Sequence, residues 1–295
     1  MTDRPTIIIT GSSGFVGSSL VPHFSQAGYP VRAFQRSAPE VKQAGVSYYE
    51  FDLSDVQDNG FEGANYIIHC AYRPVVGRLD REFGANTDID GTKQIIFLAR
   101  KYGISLVFLS TTSAHVGSVS YYAKSKLVAE KLFDLKRDLI LRLGLVIGAG
   151  GVLWRIAGTL RKHRIIPLIG GGKQHIQTID INDLCRVIEA GVIMGTVGKF
   201  EIADPRVVTM GELYRTIAEN IAAKPVFIAV PLALVARLMQ ILEQFEFKLP
   251  FTSQNVLGLR DMKTYEAHSA LEIFGVKTEH YRTTLSQVIF TNGTG

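Results

Sequence analysis

The amino-acid sequence predicts an α/β fold in which a doubly wound parallel sheet is covered by helices on both faces. Short, β-branched apolar runs alternate with longer segments of helical spacing along residues 6–148. Continuous apolar runs of this length are typical of strands that are buried on both faces. Apolar residues make up 46% of the 295-residue chain, which is enough for a large core.

The first half of the chain supplies the elements of this sheet in order. Strands are predicted at 6–10, 30–37, 46–53, 65–72, 105–112 and 138–148. Helices are predicted at 16–28, 86–103 and 121–135. The first two helices close on Gly28 and Gly103, and a glycine is the residue that most often ends a helix.

The pattern is looser after residue 148. We predict a core over residues 1–150 and a mixed region over 151–295, which returns strands to the sheet and forms a smaller lobe. The most hydrophobic stretch, 226–242, contains Pro231 and Arg237. It is shorter than the roughly 20 apolar residues of a membrane span. We predict a buried helix there, with membrane-surface contact as the alternative, and no transmembrane segment.

Charge and cysteine content argue against several classes of protein. The formal net charge of +5 is small and scattered, so nucleic-acid binding would rest on net charge alone. Cys70 and Cys185 give neither a disulfide framework nor the spacing of metal ligands, which favours a reducing compartment. Because of this cysteine spacing we predict no metal site. Since the first residues lack a signal-peptide pattern, we predict a cytoplasmic protein.

The segment "TIIITGSSGFVGSSL", residues 6–20, joins the first strand to the first helix through three regularly spaced glycines. In a dinucleotide-binding turn one glycine permits the tight turn, one admits a pyrophosphate, and one lets the helix pack closely. The N–H groups at the helix start then bind phosphate. This arrangement predicts a Rossmann-type site, with a ligand-free turn as the alternative. Its candidate residues are Gly11, Ser12, Ser13, Gly14, Phe15, Val16 and Gly17.

With Thr10 before the first glycine, the turn resembles that of the short-chain dehydrogenase/reductase superfamily, in its extended, epimerase-like branch. Four further segments carry the resemblance: "FDLSD" (51–55), "IIHCAY" (67–72), "NTDIDGT" (86–92) and "YAKSKLVAE" (122–130). The resemblance implies a nicotinamide dinucleotide next to Asp52, Leu53 and Ala71, and an acid–base pair formed by Tyr122 and Lys126. Homodimers are common in the superfamily, so the resemblance also implies one.

The tyrosine and lysine of the last segment are one helical turn apart and share a helix face. A hydride moved to or from a carbonyl leaves charge on oxygen, so a proton must follow. Because a tyrosine of pKa about 10 is a poor acid–base group at neutral pH, we expect Lys126 to lower the pKa of Tyr122 and to hold the ribose. Thr112 would polarise the carbonyl, with Ser110 and Ser113 as alternatives. A surface helix pair is the competing interpretation.

One departure from the family pattern bears on the substrate. Only ten positions lead from Thr112 to Tyr122, so much of the sugar-facing loop of extended members is missing. Similar shortening occurs in atypical relatives, including the dehydrogenase-like accessory subunit of respiratory complex I. Two functions stay open: an NAD(P)-dependent oxidoreductase or epimerase-type enzyme acting on a small carbonyl or alcohol, and an NAD(P)-binding accessory or sensor protein without turnover.

The end of the second strand bears on the choice of cofactor. An acidic residue there would bind the ribose 2′-hydroxyl of NAD. The sequence instead has Gln35 followed by Arg36, and arginine is a good partner for a phosphate. We predict NADP, with NAD as the alternative. A solvated Arg36 is the competing interpretation, and Arg32 is expected to point elsewhere.

Several further polar residues have two interpretations. A basic group within 148–177 fits either a mouth for an anionic substrate or a solvated helix face: Arg155, Arg161, Lys162, His163 and Arg164. Arg260 stands where relatives keep an arginine for a substrate pyrophosphate, and we favour a structural ion pair for it. His115 and His175 either enter the pocket or are polar residues near it.

Overall fold

A computed structural model of the chain describes residues 4–73, 79–244, 256, 258 and 262–290. The strands are β1 Ile7–Thr10, β2 Val31–Gln35, β3 Val46–Glu50, β4 Tyr66–His69, β5 Ser105–Thr111, β6 Leu139–Leu143, β7 Leu145–Ile147, β8 Ile165–Ile169, β9 His175–Asp180, β10 Gly198–Ile202, β11 Val207–Thr209 and β12 Val226–Val230. The helices are α1 Phe15–Gln26, α2 Leu79–Lys101, α3 Tyr121–Glu130, α4 Gly151–Lys162, α5 Ile181–Met194, α6 Met210–Asn220, α7 Leu232–Gln244, α8 His268–Ile273 and α9 Tyr281–Phe290.

Seven parallel strands form the central sheet, in the order β3-β2-β1-β4-β5-β6-β10. The chain winds outward from β1 to β3, then returns and winds in the other direction from β4. The predicted doubly wound α/β fold is therefore confirmed. At the point where the strand order reverses, between β1 and β4, the carboxyl ends of the strands leave a crevice in which ligands commonly bind.

Two apolar clusters cover the two faces of the central sheet. Ile7 and Ile9 of β1 lie in one cluster together with Val187 of α5. Ile8, between them, lies in the other cluster together with Ile95 of α2. Successive side chains of a strand point to opposite faces, so β1 is buried on both. Because α5 and β10 come from the second half of the chain, that half completes the core of the first.

The predicted strand 138–148 is wrong in extent, because it is two strands in different sheets. β6 belongs to the central sheet, whereas β7 pairs with β9 in the three-stranded sheet β7-β9-β11. The break falls at Gly144, where a β-carbon would lie 2.6 Å from the carbonyl oxygen of Gln177. Only a glycine allows β9 to approach the chain so closely, and an apolar run does not reveal this contact.

The predicted helix 121–135 is also shorter, since α3 ends at Glu130. The Asp134 N–H donates instead to Oδ2 of Asp138 at 2.9 Å. Asp138 is fully buried and accepts a hydrogen bond from Nη1 of Arg100 at 2.9 Å. A network between two distant segments therefore replaces the last predicted helical turn.

The helix predicted at 226–242 is confirmed only from residue 232 onward, and it is not buried as predicted. Residues 226–230 form β12, which pairs in parallel with β8, and α7 begins only after Pro231. Between 226 and 240 only Ala236 and Met239 are buried. Alternating β-branched residues favour a strand, and a proline holds the residue before it in an extended conformation. No helix in the described ranges has the length and apolar character needed to cross a membrane.

Candidate active site

The three glycines of the first turn have different structural roles. Gly11 has φ +66°, and a β-carbon on it would lie 2.8 Å from Cα of Ala71. A β-carbon on Gly17 would lie 2.2 Å from the carbonyl oxygen of Gly11, so the start of α1 packs directly on the turn. Gly14, the N-cap of α1, has an ordinary φ of −77°. Chain packing therefore explains Gly11 and Gly17, whereas Gly14 is exposed to a cleft.

This first cleft has a volume of about 340 Å³ at the switch point of the sheet. It is lined by Gly11, Ser13, Gly14, Gln35, Arg36, Phe51, Asp52, Leu53, Cys70, Ala71, Tyr72 and Arg73. The start of α1 has no side-chain cap and no acidic residue in its first turn. Its N–H groups and the positive end of the helix dipole therefore favour an anion. These features fit the pyrophosphate of a dinucleotide.

Most of the predicted cofactor residues lie around this cleft, but four of the turn do not line it. Ser12 and Gly17 are buried, Val16 lines a neighbouring cleft, and Phe15 packs on a glycine loop, where a β-carbon on Gly150 would lie 2.7 Å from its ring. The turn therefore meets the first cleft through Gly11, Ser13 and Gly14.

The end of β2 presents a neutral and a positively charged side chain to the first cleft. Ser12 Oγ donates to Oε1 of buried Gln35 at 2.9 Å, and Gln35 Nε2 donates to the carbonyl of Ser37 at 2.7 Å. Arg36 is exposed next to it. Arg32 donates to two loop carbonyls at 2.7 and 2.6 Å, and it is not a lining residue, as expected.

A buried histidine fixes the strand ends behind the cleft. Nδ1 of His69 lies 2.8 Å from Thr10 Oγ1, and its Nε2 lies 3.1 Å from Thr92 Oγ1. Burial lowers the pKa of His69 to about 3, so its ring is neutral at physiological pH. Thr10 Oγ1 in turn accepts the N–H of Ala71 at 3.3 Å. These bonds hold β1, β4 and α2 in register around the switch point.

Asp52 lies at the exposed rim of the first cleft. Its Oδ1 accepts hydrogen bonds from the N–H and the hydroxyl of Ser54 at 2.8 and 2.5 Å, and these bonds lower the pKa of the carboxyl. The carboxylate is therefore ionised at neutral pH, and the nearby positive charge of Arg36 contributes to the lowered pKa.

A second cleft of about 380 Å³ adjoins the first, and Cys70 and Tyr72 line both. The structure brings all three predicted catalytic residues, Thr112, Tyr122 and Lys126, to this second cleft. The remaining lining residues are Val16, Leu109, Ser110, Thr111, Ser113, Leu143, Gly144, Leu145, Val146, His175, Ile176, Gln177, Met262 and Lys263.

The lysine of the predicted pair is buried and held by neighbouring groups. Lys126 Nζ donates to the carbonyl of Leu109 at 2.8 Å and lies 4.5 Å from the ring centroid of Phe108. It also lies 5.5 Å from the ring centroid of Tyr72, against which the Tyr122 ring packs edge-on at 5.0 Å. Burial lowers the pKa of Lys126 to about 8, so the ammonium form predominates at neutral pH.

The pKa of the tyrosine moves in the direction opposite to the one expected from sequence. Burial of the Tyr122 hydroxyl, together with the negative charge of Asp88, raises its pKa to about 12. At neutral pH the phenol is therefore protonated. A protonated phenol has a proton to donate and cannot accept one as a base.

Asp88 is a functional candidate that sequence reasoning missed. Its Oδ1 accepts the N–H of Arg73 at 2.9 Å, while its buried Oδ2 has no hydrogen-bond partner among the described residues. Burial raises the pKa of this carboxyl to about 6. The motif "NTDIDGT" gave part of the signal, because Asp88 stands three residues before Gly91 and four before Thr92 and so shares their helix face. The burial of that face is seen only in the structure.

The three hydroxyl candidates differ in what they contact. Ser110 is buried and donates to Oε1 of Glu130 at 2.6 Å, and Arg142 also binds this carboxylate, at 2.8 and 2.6 Å. Thr112 donates to a backbone carbonyl of β6 at 3.2 Å, and Ser113 also lines the second cleft. Ser110 is thus part of a buried ionic network, which leaves Thr112 and Ser113 as the hydroxyls for a ligand.

The remaining predicted polar residues differ in whether they line a cleft. His175 is exposed and lines the second cleft, whereas His115 lines neither cleft. The basic residues on α4 and just after it are exposed, and they line neither cleft: Arg155, Arg161, Lys162, His163 and Arg164. This agrees with the interpretation of a solvated helix face. Lys263 lines the second cleft and was missed from sequence. Arg260 lies outside the described residues.

Comparison with known proteins agrees with the resemblance drawn from the motifs. A model of the NAD dependent epimerase/dehydratase family matches residues 7–192. The chain is 29% identical over 207 residues to a 2-alkyl-3-oxoalkanoate reductase of Stenotrophomonas maltophilia, an alignment that covers 60% of this chain and 62% of the reductase. It is 26% identical over 263 residues to NADH dehydrogenase [ubiquinone] 1 alpha subcomplex subunit 9 of Arabidopsis thaliana mitochondria, covering 82% and 64%. The chain spans less than two thirds of the length of both relatives.

The fold matches solved structures along nearly the whole chain. MoeE5 in complex with UDP-glucuronic acid and NAD has a TM-score of 0.76 at 19% identity, and the alignment covers 98% of this chain and 100% of MoeE5. At this level of identity the likeness concerns the fold.

Proposed function

This chain belongs to the NAD dependent epimerase/dehydratase family, and from that premise we propose that it is an NADP-dependent oxidoreductase that reduces a small carbonyl compound. The observation that carries the proposal is the continuity of the two clefts. The glycine turn borders the first, Tyr122 and Lys126 border the second, and the two clefts meet at Tyr72.

The first cleft would hold the dinucleotide. The backbone at Gly14 and the start of α1 would bind the pyrophosphate, because Gly14 carries no β-carbon and the helix start has no cap of its own. Asp52 and Leu53 would lie beside the adenosine end, and Ala71 beside the nicotinamide half. When bound, the nicotinamide supplies the hydride. The ribose next to it would be held by Lys126.

The second cleft would carry out proton transfer. A protonated Tyr122 can donate its proton to the oxygen of a carbonyl as that oxygen gains negative charge. The ammonium group of Lys126 would stabilise the phenolate that remains. Thr112 would rotate its hydroxyl away from the carbonyl of Leu143 and donate a hydrogen bond to the carbonyl oxygen of the substrate. Because the phenol of Tyr122 is protonated at neutral pH, it is ready for the reductive direction, in which it gives up a proton.

The substrate proposed for this cleft has an apolar body. Much of the wall is aliphatic, from Val16 on α1 to Leu145 on β7 and Ile176 on β9. The segment from Thr112 to Tyr122 is also too short to form a large sugar-binding loop. The name of the Stenotrophomonas relative, a reductase of 2-alkyl-3-oxoalkanoates, supports an alkyl ketone rather than a nucleotide sugar.

Replacement of Tyr122 by phenylalanine tests the enzyme. Turnover of NADPH on an accepted 3-oxo compound should fall about 100-fold or more, the scale of losing a positioned proton donor. NADPH affinity should stay close to that of the parent, because the ring still packs on Tyr72. Tyr121→Phe is the matched control, since Tyr121 lines neither cleft. Equal turnover of the Tyr122→Phe variant and the parent would contradict the proposed mechanism.

The cofactor preference has a separate test. A charge-assisted contact of about 1.5–3 kcal/mol between Arg36 and a 2′-phosphate implies a preference for NADPH over NADH of roughly tenfold to a hundredfold. Arg36→Ala should reduce this ratio and leave NADH binding unchanged, which makes NADH the internal control. Equal affinities of the parent for the two cofactors would exclude the NADP preference.

An accessory or sensor protein is the second candidate, and a specific observation favours it. Lys126 Nζ already donates to the carbonyl of Leu109, and only ten positions lead from Thr112 to Tyr122, a shortening also found in atypical relatives. The plant relative named as a subunit of NADH dehydrogenase is consistent with such a role. Tight NADPH binding with no hydride transfer across a panel of alkyl ketones, steroids and nucleotide sugars would favour this candidate over the enzyme.

A further inference from the structure

The two-stranded sheet β8-β12 presents an apolar face to solvent. Ile165 and Val226 are register partners and are 60% and 61% exposed. Two residues further along, Pro167 is opposite Ile228, and both are exposed. Alternate residues of a strand share a face, so these four side chains form one surface, which we call the outer face. The side chains between them point inward.

Positively charged residues lie along one edge of the outer face. Because β8 and β12 are parallel, the segments that precede them lie side by side, and the N–H of Val226 donates to the carbonyl of Arg164 at 2.7 Å. These segments carry four exposed cations, which we call the basic rim: Arg161, Lys162, Arg164 and Lys224. None of the four forms an ion pair within the part of the chain that the structure describes.

We propose that the outer face and the basic rim dock this protein on an anionic lipid surface. Aliphatic side chains beside exposed cations match the boundary between acyl chains and phosphate headgroups. The charge distribution favours an anionic occupant over a second copy of the chain, because a copy that used the same patch would bring four more cations to the contact. This inference rests on the β8-β12 surface and does not depend on the proposed oxidoreductase activity.

Vesicle co-sedimentation of the full chain tests the proposal. The chain should bind vesicles that contain phosphatidylglycerol and not vesicles of phosphatidylcholine alone, and added salt should weaken the binding. The double variant Ile165→Glu/Ile228→Glu should lower the bound fraction about tenfold or more. Ile193→Glu is the matched control, because Ile193 is 67% exposed on α5, and it should bind as the parent does.

The contribution of the rim is tested by charge reversal. Arg161→Glu/Lys162→Glu should weaken binding about tenfold or more. Lys136→Glu/Arg137→Glu changes the net charge equally at another exposed position and should have little effect. Circular dichroism and a cooperative thermal transition of each variant establish that it is folded, and the milder Ile165→Thr/Ile228→Thr replaces the outer-face variant if that variant is not.

Three outcomes would overturn the proposal. The first is that the parent binds neither type of vesicle at low salt. The second is that the control variants lose as much binding as the outer-face and rim variants. The third is that the parent forms a concentration-dependent dimer which Ile165→Glu abolishes, because the outer face would then be an interface between two copies.

Discussion

The central sheet and the β8-β12 sheet are both parallel, yet they are buried in different ways. Every residue of β1 is fully buried, since helices cover both faces of the central sheet. In β8, buried Ile166 and Leu168 alternate with exposed Ile165 and Pro167. Parallel sheets are normally covered on both faces. The comparison shows that parallel pairing of strands does not by itself determine how deeply they are buried. The central sheet forms the core, whereas the β8-β12 sheet exposes an apolar surface to solvent.

Truncation of matched isoleucines should give the largest difference between the two sheets. Ile67 of β4 is fully buried, whereas Ile165 of β8 is 60% exposed. Ile67→Ala should lower the free energy of unfolding by about 2–5 kcal/mol, because it removes buried methyl groups and leaves a cavity. Ile165→Ala should lower it by less than about 1 kcal/mol. Urea denaturation of both variants measures these free energies. Similar losses of stability in the two variants would show that the two sheets do not differ in the burial of these isoleucines.

Two glycines sharpen the comparison within the first half of the chain. Gly17→Ala should lower the free energy of unfolding by about 1–3 kcal/mol, because its β-carbon would lie 2.2 Å from the Gly11 oxygen. Gly14→Ala should cost about 1 kcal/mol or less, since Gly14 has an ordinary φ. The same variant should weaken NADPH binding about tenfold, or ~1.4 kcal/mol. Thermal unfolding and fluorescence titration separate the two effects. If the Gly14→Ala variant binds NADPH as tightly as the parent does, the assignment of the pyrophosphate site to this turn is wrong.

The smallest expected effect concerns the buried carboxyl of Asp88 and depends on pH. Its pKa is raised by burial to about 6, so its contribution to stability is fully present below about pH 4 and is lost as pH rises through 6. Asp88→Asn removes the buried charge, so it should be more stable than the parent at pH 8 by about 1–2 kcal/mol and equally stable at pH 4. Denaturant unfolding at both pH values measures this. Asp90→Asn removes an exposed carboxylate of the same helix, one paired with Lys93 at 2.8 Å, and serves as the control for the loss of a charge from α2.

The local part of the candidate site could be predicted from the sequence, because it depends on short spacings. Three glycines after a strand predicted the turn, and the four-residue spacing of Tyr122 and Lys126 predicted their common helix face. The alternation of β and α segments predicted a doubly wound parallel sheet, whereas the strand order itself came from the structure. Each of these inferences uses residues close together in the chain, where backbone geometry alone determines which groups are neighbours.

Contacts between distant segments decided the rest. The break at Gly144 depends on β9, and the early end of α3 depends on the pair of Asp138 with Arg100. The raised pKa of Tyr122 depends on its burial and on Asp88, which lies 34 positions earlier in the sequence. Desolvation and close packing depend on what lies nearby in space, and a sequence pattern does not state this. Sequence by itself therefore determined the fold class and the candidate residues, whereas only the tertiary structure determined their protonation, their hydrogen-bond partners and the exposure of the β8-β12 sheet.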